Sequence, residues 1–342
     1  MSKSQKNLFE LPVQDLAHIL HHSARDLEAL RGKKLFITGG TGFFGKWLLG
    51  ALCHADAELD LGLKMTVLSR NPAAFQRQFP LVDGIPGLDF VRGDVAHFSS
   101  NNREFDYVVH AATDTAVPAD DVQERERSRA IIAGTRRMLE LTRSSGAKRL
   151  LYVSSGAVYG AFAGQPNGAS EDDYPMAKPL NPYAEAKREA EQLCAESGLD
   201  FVTARAFAFL GPLLPLDAHF AAGNFLRDAH EGRPILVRGD GTALRSYLYP
   251  ADLVIWLLRI LVQGKKGRAY NVGSDDTVST AQLARLISVA VNPPSEVTIQ
   301  SVQPQGPQNI YLPNVHRART ELGLEVAIGL RESIRRTLEF LK

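Results

Sequence analysis

Between residues 34 and 206, short apolar runs recur at intervals that leave room for a helix between several of them. Leu35-Phe36-Ile37, Met65-Thr66-Val67-Leu68, Leu88-Asp89-Phe90-Val91, the run opening Asp106-Tyr107-Val108-Val109, Arg149-Leu150-Leu151-Tyr152-Val153 and residues 200–205 have the length and apolar content of buried strands. Helical stretches at 43–53, at about 122–145 and from Tyr183 onward separate them. Strands alternating with helices over this length predict an α/β fold. It is a doubly wound parallel sheet, covered on both faces, with ligands at the carboxyl ends of the strands.

The flanks follow other patterns. In residues 12–31, Val13, Leu16, Ile19, Leu20, Leu27 and Leu30 make an apolar stripe of helical period, with Pro12 suited to the first helical position and Gly32 to the stop. Such a helix has to cover apolar surface, either the flank of the sheet or a second subunit. Past residue 206 the alternation loosens and a smaller second lobe is expected. It holds a helix with Asn224-Phe225, the run Ile235-Leu236-Val237 ahead of the Gly239-Asp240-Gly241 turn, and the stretch Arg245-Ser246-Tyr247. Tyr270-Asn271-Val272-Gly273 reads as a strand returning to the sheet or its edge, and helices are expected near 280–291, 315–322 and 330–341.

Composition narrows the class. The 342 residues, 44% hydrophobic and 23% charged, suffice for one large domain or two closely packed ones. Thirty-nine basic residues against thirty-eight acidic leave a net charge of +1, so no nucleic-acid partner is expected. Cys53 and Cys194, far apart and each in a predicted helix, fit reduced thiols in a cytoplasmic protein better than a disulfide or a metal site. No apolar run approaches a membrane span and the N-terminus lacks the apolar core of a signal peptide, so a cytoplasmic location away from the membrane is expected. His21 and His22 are neighbours on a predicted helix and point in different directions, so they read as solvated side chains; no metal is expected.

Candidate chemistry begins where the first strand ends. Thr38-Gly39-Gly40-Thr41-Gly42-Phe43-Phe44-Gly45 joins that strand to a helix through a glycine-rich turn. Gly39 permits a backbone conformation closed to other residues, Gly42 lets the main chain approach a pyrophosphate, and Gly45 lets the helix lie close on the strand. The anion would sit on the unpaired N–H groups of the helix start. The spacing differs from the commoner G-x-G-x-x-G, and these residues alone leave open a tight turn with no ligand. At the end of the second strand, where NAD-binding folds place a carboxylate, stand Ser69-Arg70-Asn71. Arg70 reads as a partner for the 2′-phosphate of NADP or as a solvated strand-end residue. Asp94 reads as an acceptor for an adenine amino group or as a turn residue satisfying its own backbone. Ala111-Ala112-Thr113 leave room for a cofactor at the exit of the fourth strand, and His110 reads as a packed strand residue.

The fifth strand exits through Ser154-Ser155-Gly156-Ala157-Val158-Tyr159-Gly160. After a polar, proline-rich loop at 161–182, Tyr183-Ala184-Glu185-Ala186-Lys187 opens a helix, and the spacing of four puts phenol and ammonium on one face. An ammonium in that place, helped by an oxidised nicotinamide, favours phenolate and lowers the phenol from its usual pKa of about 10. Tyr183 can then exchange a proton with a sugar hydroxyl while Ser155 holds the same oxygen during hydride transfer.

With these motifs the chain resembles the extended short-chain dehydrogenase/reductases, specifically the NAD-dependent epimerase/dehydratase family that acts on nucleotide-diphosphate sugars. The resemblance covers residues 34–342. Its markers are the turn at 38–45, Gly93-Asp94-Val95, His110-Ala111-Ala112, Ser154-Ser155 with Val158-Tyr159-Gly160, Asn181-Pro182-Tyr183 with Lys187, Gly211-Pro212, and Arg245-Ser246-Tyr247. It implies a Rossmann-type doubly wound sheet at 33–206 holding the cofactor and a smaller C-terminal lobe at 207–342, mainly for the sugar nucleotide. Residues 251–275 would return to the first domain, and 1–32 form a helical extension. By position it implies Ser155, Tyr183 and Lys187 as the catalytic trio, with Lys187 also on the nicotinamide ribose. Gly39, Gly42, Phe43, Phe44, Gly45, Ser69, Arg70, Asp94, Val95, Ala111, Ala112 and Thr113 would join Tyr183 and Lys187 around the cofactor. Ser155, Asn224 and Arg245 would face the substrate. The helices after the fourth and fifth strands pair subunits in this family, so a homodimer is expected.

The chain also departs from the family. Its dehydratases resemble Thr-Asp-Glu ahead of Val-Tyr-Gly, whereas Ser155-Gly156-Ala157 lacks the acid pair, which disfavours dehydration. Ala208 stands where the pattern Arg-x-x-Asn-x-x-Gly-Pro, here from Arg205 to Pro212, has asparagine. Ser69-Arg70 resembles the NADP users, so NADP is the expected cofactor, with NAD the alternative. The expected reaction is reduction of a 4-keto nucleotide-sugar; a 4-epimerase with retained NAD and a non-catalytic dinucleotide-binding regulator are the rivals. A regulator has no need of Ser155, Tyr183 and Lys187 together.

Overall fold

The computed structural model describes residues 7–98, 103–113, 121–160, 167–173, 181–218, 220–301 and 309–342. The chain enters through helices α1 (Val13–His22) and α2 (Ala24–Ala29). β1 (Lys34–Thr38), α3 (Phe43–Leu59), β2 (Lys64–Ser69), α4 (Pro72–Gln78), β3 (Leu88–Arg92) and β4 (Tyr107–His110) follow. α5 (Asp121–Ser144), β5 (Arg149–Ser155), α6 (Pro182–Glu196) and β6 (Phe201–Ala206) complete the alternation. Beyond it lie α7 (Ala221–His230), β7 (Ile235–Val237), β8 (Leu244–Ser246), α8 (Pro250–Gln263), β9 (Ala269–Val272) and β10 (Thr277–Ser279). The chain closes with α9 (Thr280–Ser288), β11 (Val297–Ile299), β12 (Ile310–Tyr311), α10 (His316–Leu322) and α11 (Leu330–Phe340).

Among the described residues, seven parallel strands form one sheet in the order β3-β2-β1-β4-β5-β6-β9. The order reverses between β1 and β4, and a crevice at such a switch point is where α/β sheets take ligands. Alternate side chains serve opposite faces. Leu35, Ile37, Val67 and Val109 join the core under α3 and α8, while Phe36, Leu68, Val108 and Leu150 join the one under α5 and α6. Because both faces are covered, the strands read as continuous apolar runs.

A second, smaller core gathers Phe225 and Leu226 of α7, Ile235 and Val237 of β7, Leu283 and Ile287 of α9, and Ile334 and Leu338 of α11. The chain passes between the two cores repeatedly: α8, β9 and α10 pack in the first, and α7, α9 and α11 in the second. The crossings are tied by the Phe209–Leu248 bridge, by the Trp47 indole donating to the Pro212 carbonyl at 2.9 Å, and by Gly211 lying against Pro250.

The N-terminal extension covers the helices on the sheet flank, with Leu16, Ile19, Leu27 and Leu30 packed into the first core. The single helix expected over 12–31 is instead two, broken at Ser23, and Pro12 is the N-cap rather than the first helical residue. The apolar stripe runs through the break, so periodicity does not reveal it. Val13, expected in the stripe, is 66% exposed, whereas Asp15 is fully buried. The reason is a polar one: Asp15 accepts the Tyr249 hydroxyl at 2.6 Å and pairs with Arg336 of α11. Asp26 likewise accepts from Arg259 at 2.6 Å and Gln263 at 2.5 Å of α8. His21 and His22 are exposed, and no helix among the described residues is long and apolar enough to cross a membrane.

Candidate active site at the strand ends

β1 and α3 meet at Gly39, whose φ is 75°; a Cβ there would stand 2.5 Å from the Ala111 carbonyl oxygen. A Cβ on Gly45 would stand 2.3 Å from the Gly39 carbonyl oxygen, so these two glycines let the turn, the helix and the β4 exit touch. Gly42 differs. A Cβ there would meet only Gly39 O at 3.4 Å, and Gly42 is the N-cap of a 17-residue helix that has no side-chain cap. The first amides of α3, at Phe43, Phe44 and Gly45, thus start a long helix beside an open backbone, an arrangement that fits a pyrophosphate. The rings of Phe43 and Phe44 are structural: they lie 5.8 Å apart, and Phe44 packs on Phe209 at 4.7 Å.

At the end of β2, Ser69 is buried and its Oγ accepts the Asn71 N–H at 3.3 Å; Arg70 is exposed. Asp94 is exposed, and its Oδ1 accepts the Ala96 N–H at 2.8 Å, the turn role the sequence left open. Val95 packs where a Cβ on Gly134 of α5 would fall, at 2.9 Å. His110 is a packed strand residue. Its ring nitrogens contact Thr38 Oγ1 at 2.9 Å and Thr135 Oγ1 at 3.2 Å, and burial, then the nearby Lys187 charge, pushes it down to about 3.

Ser155 ends β5 and caps a short turn, Gly156–Tyr159, with its Oγ accepting the Ala157 N–H at 3.2 Å. Ser154, one residue earlier, points to the other face and is buried. Asn181 caps α6 by accepting the Ala184 N–H at 2.9 Å, and Pro182 begins the helix. This start aims Tyr183 and Lys187 at the strand ends while Ala186 and Ala190 pack beneath them. The Ser155 hydroxyl lies near enough to Tyr183 to hold its pKa down against burial. Lys187 Nζ lies 6.0 Å from the Tyr183 ring centre and donates to Thr113 Oγ1 and to the Val153 carbonyl, both at 2.9 Å.

Burial dominates the electrostatics of this group. Burial pushes Lys187 down to about 7, with Glu191 opposing, and burial raises Tyr183, with the Ser155 hydroxyl opposing. Desolvation disfavours the charged form of each. The unliganded site therefore keeps Tyr183 protonated.

Tyr311 of β12 completes the group, and no sequence motif announces it. Its hydroxyl is 3.4 Å from Ser155 Oγ and 3.5 Å from the Ala206 carbonyl, and its ring lies 4.9 Å from that of Phe207. β12 pairs with β8 so that Tyr311 faces Arg245, whose guanidinium stands 5.7 Å over the phenol. Arg245 donates to the Leu244 and Asn309 carbonyls at 2.7 and 3.1 Å, and burial lowers its pKa from the usual value. Asn224 is half-buried in the first turn of α7; no hydrogen bond among the described residues links it to this group. Behind the site, Arg205 forks onto Glu191 at 2.7 and 3.1 Å and donates to Tyr159 Oη at 2.8 Å, which in turn donates to Asn271 at 2.7 Å. No metal-binding cluster of His, Cys, Asp or Glu occurs among the described residues.

The site thus joins a dinucleotide cradle to a Ser-Tyr-Lys group, and a family model described as the NAD dependent epimerase/dehydratase family matches residues 35–273. The chain belongs to this family. With it comes membership of the extended short-chain dehydrogenase/reductase enzymes, which are NAD-dependent. Relatives include UDP-glucuronic acid decarboxylase 1 of Xenopus tropicalis, 28% identical over 91% of this chain and 72% of the relative. dTDP-glucose 4,6-dehydratase of Streptomyces niveus is 25% identical over 90% of this chain and 93% of its own. Among solved structures, an epimerase from Methanothermobacter thermautotrophicus superposes with TM-score 0.79 at 23% identity, covering 94% of this chain and 96% of its own. UDP-glucuronic acid 4-epimerase from Bacillus cereus, in complex with NAD, does so with TM-score 0.75 at 20% identity, covering 90% and 96%. These structures share the fold. The family's dehydratase acids have no room here at the first of their two positions: a Cβ on Gly156 would stand 2.7 Å from the Phe207 ring.

Proposed function

We propose that this family member reduces a 4-keto nucleotide-diphosphate sugar, with Tyr183 as proton donor. The nicotinamide supplies the hydride that the carbonyl carbon takes. Tyr183 gives its proton to the carbonyl oxygen, and Ser155 holds that oxygen in line. Lys187, held by Thr113 and Val153, would reach the nicotinamide ribose. Arg245, desolvated over Tyr311, is a cation for the diphosphate, and Asn224 stands on the same lobe. The observation that carries the reading is the Tyr183 phenol beside Ser155, its pKa raised by burial, because a carbonyl needs a proton donor.

Arg70 at the end of β2, with no carboxylate beside it in Ser69-Arg70-Asn71, supports NADP over NAD. A second reading, a 4-epimerase that keeps NAD, is favoured by the family's NAD dependence and by the structural similarity to 4-epimerases. The reading carries a cytoplasmic setting, in keeping with Cys53 and Cys194, whose buried thiols are each pushed up to about 12. It also carries a homodimer through α5 and α6. Their surface bears charged pairs such as Arg136–Glu189 at 3.3 Å, so that interface would be salt-dependent.

The experiment is single-turnover transfer from NADPH deuterated at the nicotinamide carbon 4, with UDP- and dTDP-4-keto sugars, in the wild type and Tyr183→Phe. Deuterium should appear at sugar carbon 4, and the variant should be slower by roughly a hundredfold or more with NADPH affinity preserved. A Tyr183→Phe protein of normal rate would refute the role given to the phenol.

A further inference from the structure

Asn271 is fully buried on β9, the strand that ends the sheet beside β6, and its register partner there is Arg205. The two side chains meet at one phenol. Arg205 donates to Tyr159 Oη at 2.8 Å, and that hydroxyl donates to Asn271 Oδ1 at 2.7 Å. The other end of the amide is engaged with main chain: Asn271 Nδ2 donates to the Ala169 carbonyl at 2.8 Å and to the Asn314 carbonyl at 2.9 Å. Its backbone is held as well, with the Asn271 N–H donating to Glu171 Oε1 at 2.7 Å. A carboxamide joins an acceptor to two donors, and all of them are used here. A carboxylate would set its oxygens against two carbonyls, and an alkyl side chain would strand every partner.

Each tie leads to a hydroxyl of the candidate site. Tyr159 closes the Gly156–Tyr159 turn that Ser155 caps. Asn314 follows Tyr311 through Leu312 and Pro313, and this run is laced to Ala169: the Ala169 N–H donates to Leu312 O at 2.9 Å, and the Asn314 N–H to Ala169 O at 2.8 Å. Gly168 and Gly273 close on Pro313, since a Cβ on either would stand 2.6 or 2.7 Å from it. Val158, Tyr159, Ala169 and Phe207 form one small apolar cluster, with Tyr311 packed against it. Both runs are short and hydrogen-bonded. A shift of the amide therefore reaches the Ser155 and Tyr311 hydroxyls, which stand 3.4 Å apart.

We propose that Asn271 is a positioning residue for the strand-end site, its side-chain amide setting the distance between the Ser155 and Tyr311 hydroxyls. It acts on Ser155 through Tyr159 and on Tyr311 through Asn314. For the work those hydroxyls do, this rests on the reductase reading, in which Ser155 holds the carbonyl oxygen in line.

The test joins a crystal structure to a kinetic cycle, both on the full chain. In crystals of Asn271→Ala the Ser155 Oγ to Tyr311 Oη distance should lengthen by about 1 Å or more, a misplacement large enough to lower rates by up to roughly a hundredfold. With NADPH and UDP- or dTDP-4-keto sugars, kcat should fall by roughly tenfold to a hundredfold while NADPH affinity stays unchanged. In a Tyr311→Phe background the same substitution should lower kcat by a clearly smaller factor, because one of the two hydroxyls is no longer there to misplace. An unchanged distance, factors that simply multiply, or a parallel loss of NADPH affinity overturns the proposal. Should Asn271→Ala fail to fold, Tyr159→Phe, which keeps the ring and cuts the tie to the Ser155 turn, takes its place with the same outcomes. If the wild type reduces no 4-keto sugar, the reductase reading fails, and the crystallographic distance still decides whether Asn271 sets the spacing.

Discussion

The Tyr311 hydroxyl stands 3.4 Å from Ser155 Oγ across 156 positions of sequence. It brings β12 to the candidate site, with the Tyr311 ring packed on Phe207, and sets a second phenol beside Ser155. Tyr311→Phe removes the neutral hydrogen bonds to Ser155 and the Ala206 carbonyl and keeps the ring under Arg245. It should lower kcat/KM for the sugar by about fivefold to tenfold while leaving NAD(P)H affinity unchanged. Steady-state kinetics beside a cofactor titration checks this; equal losses in both would assign Tyr311 a purely structural part.

Lys187 makes stability depend on pH. Its folded value, about 7, lies below its ordinary 10.5, so between them the unfolded chain binds more protons and stability rises with pH. Below about 7 the penalty of the buried ammonium is fully expressed. Lys187→Met removes it. In urea unfolding the variant should therefore gain most over wild type near pH 6, on the order of a few kcal/mol, and progressively less toward pH 9. A difference that stays constant across that range contradicts a depressed Lys187.

Asp15 fastens the N-terminal extension to both cores through Tyr249 and Arg336. Asp15→Ala strands a buried phenol and a largely buried guanidinium, and should destabilise the fold by about 2–4 kcal/mol. Asp15→Ala in an Arg336→Met background should cost less, because the stranded cation is gone. Additive losses in a denaturation cycle would show that the two residues act separately.

Arg70 is the cation at the end of β2. NADP(H) should bind more tightly than NAD(H), and Arg70→Ala should erode that preference by about one to three kcal/mol. Titration of both cofactors by calorimetry decides the matter, and tighter NAD binding in the wild type reverses the assignment.

Much of the first core was legible because its strands are buried on both faces and its turns are marked by glycine. Ser155, Tyr183 and Lys187 were legible because their spacing is local: one strand end and one helical turn. Tyr311 was not, since a two-residue strand has no period, and its role comes from pairing with β8. Helix α8 was also missed: most of it is buried, and its narrow polar stripe of Asp252, Arg259 and Gln263 faces the N-terminal helices instead of solvent. Asp15 escaped for the opposite reason. A carboxylate in a helix reads as solvated until its partners, 234 and 321 positions away, are seen. The burial that dominates the Tyr183 and Lys187 electrostatics was not legible either, because it is a property of the whole fold and not of a pairwise spacing.

The most direct test of the account is stoichiometry. A 4-keto nucleotide sugar is mixed with the enzyme and NADPH, and the fall in nicotinamide absorbance is compared with the product formed. The account predicts one NADPH consumed for each sugar hydroxyl produced, with the rate collapsing in Tyr183→Phe. Interconversion of two hydroxyl sugars with no net change in the nicotinamide would contradict it and identify an epimerase, with Ser155, Tyr183 and Lys187 in the same places.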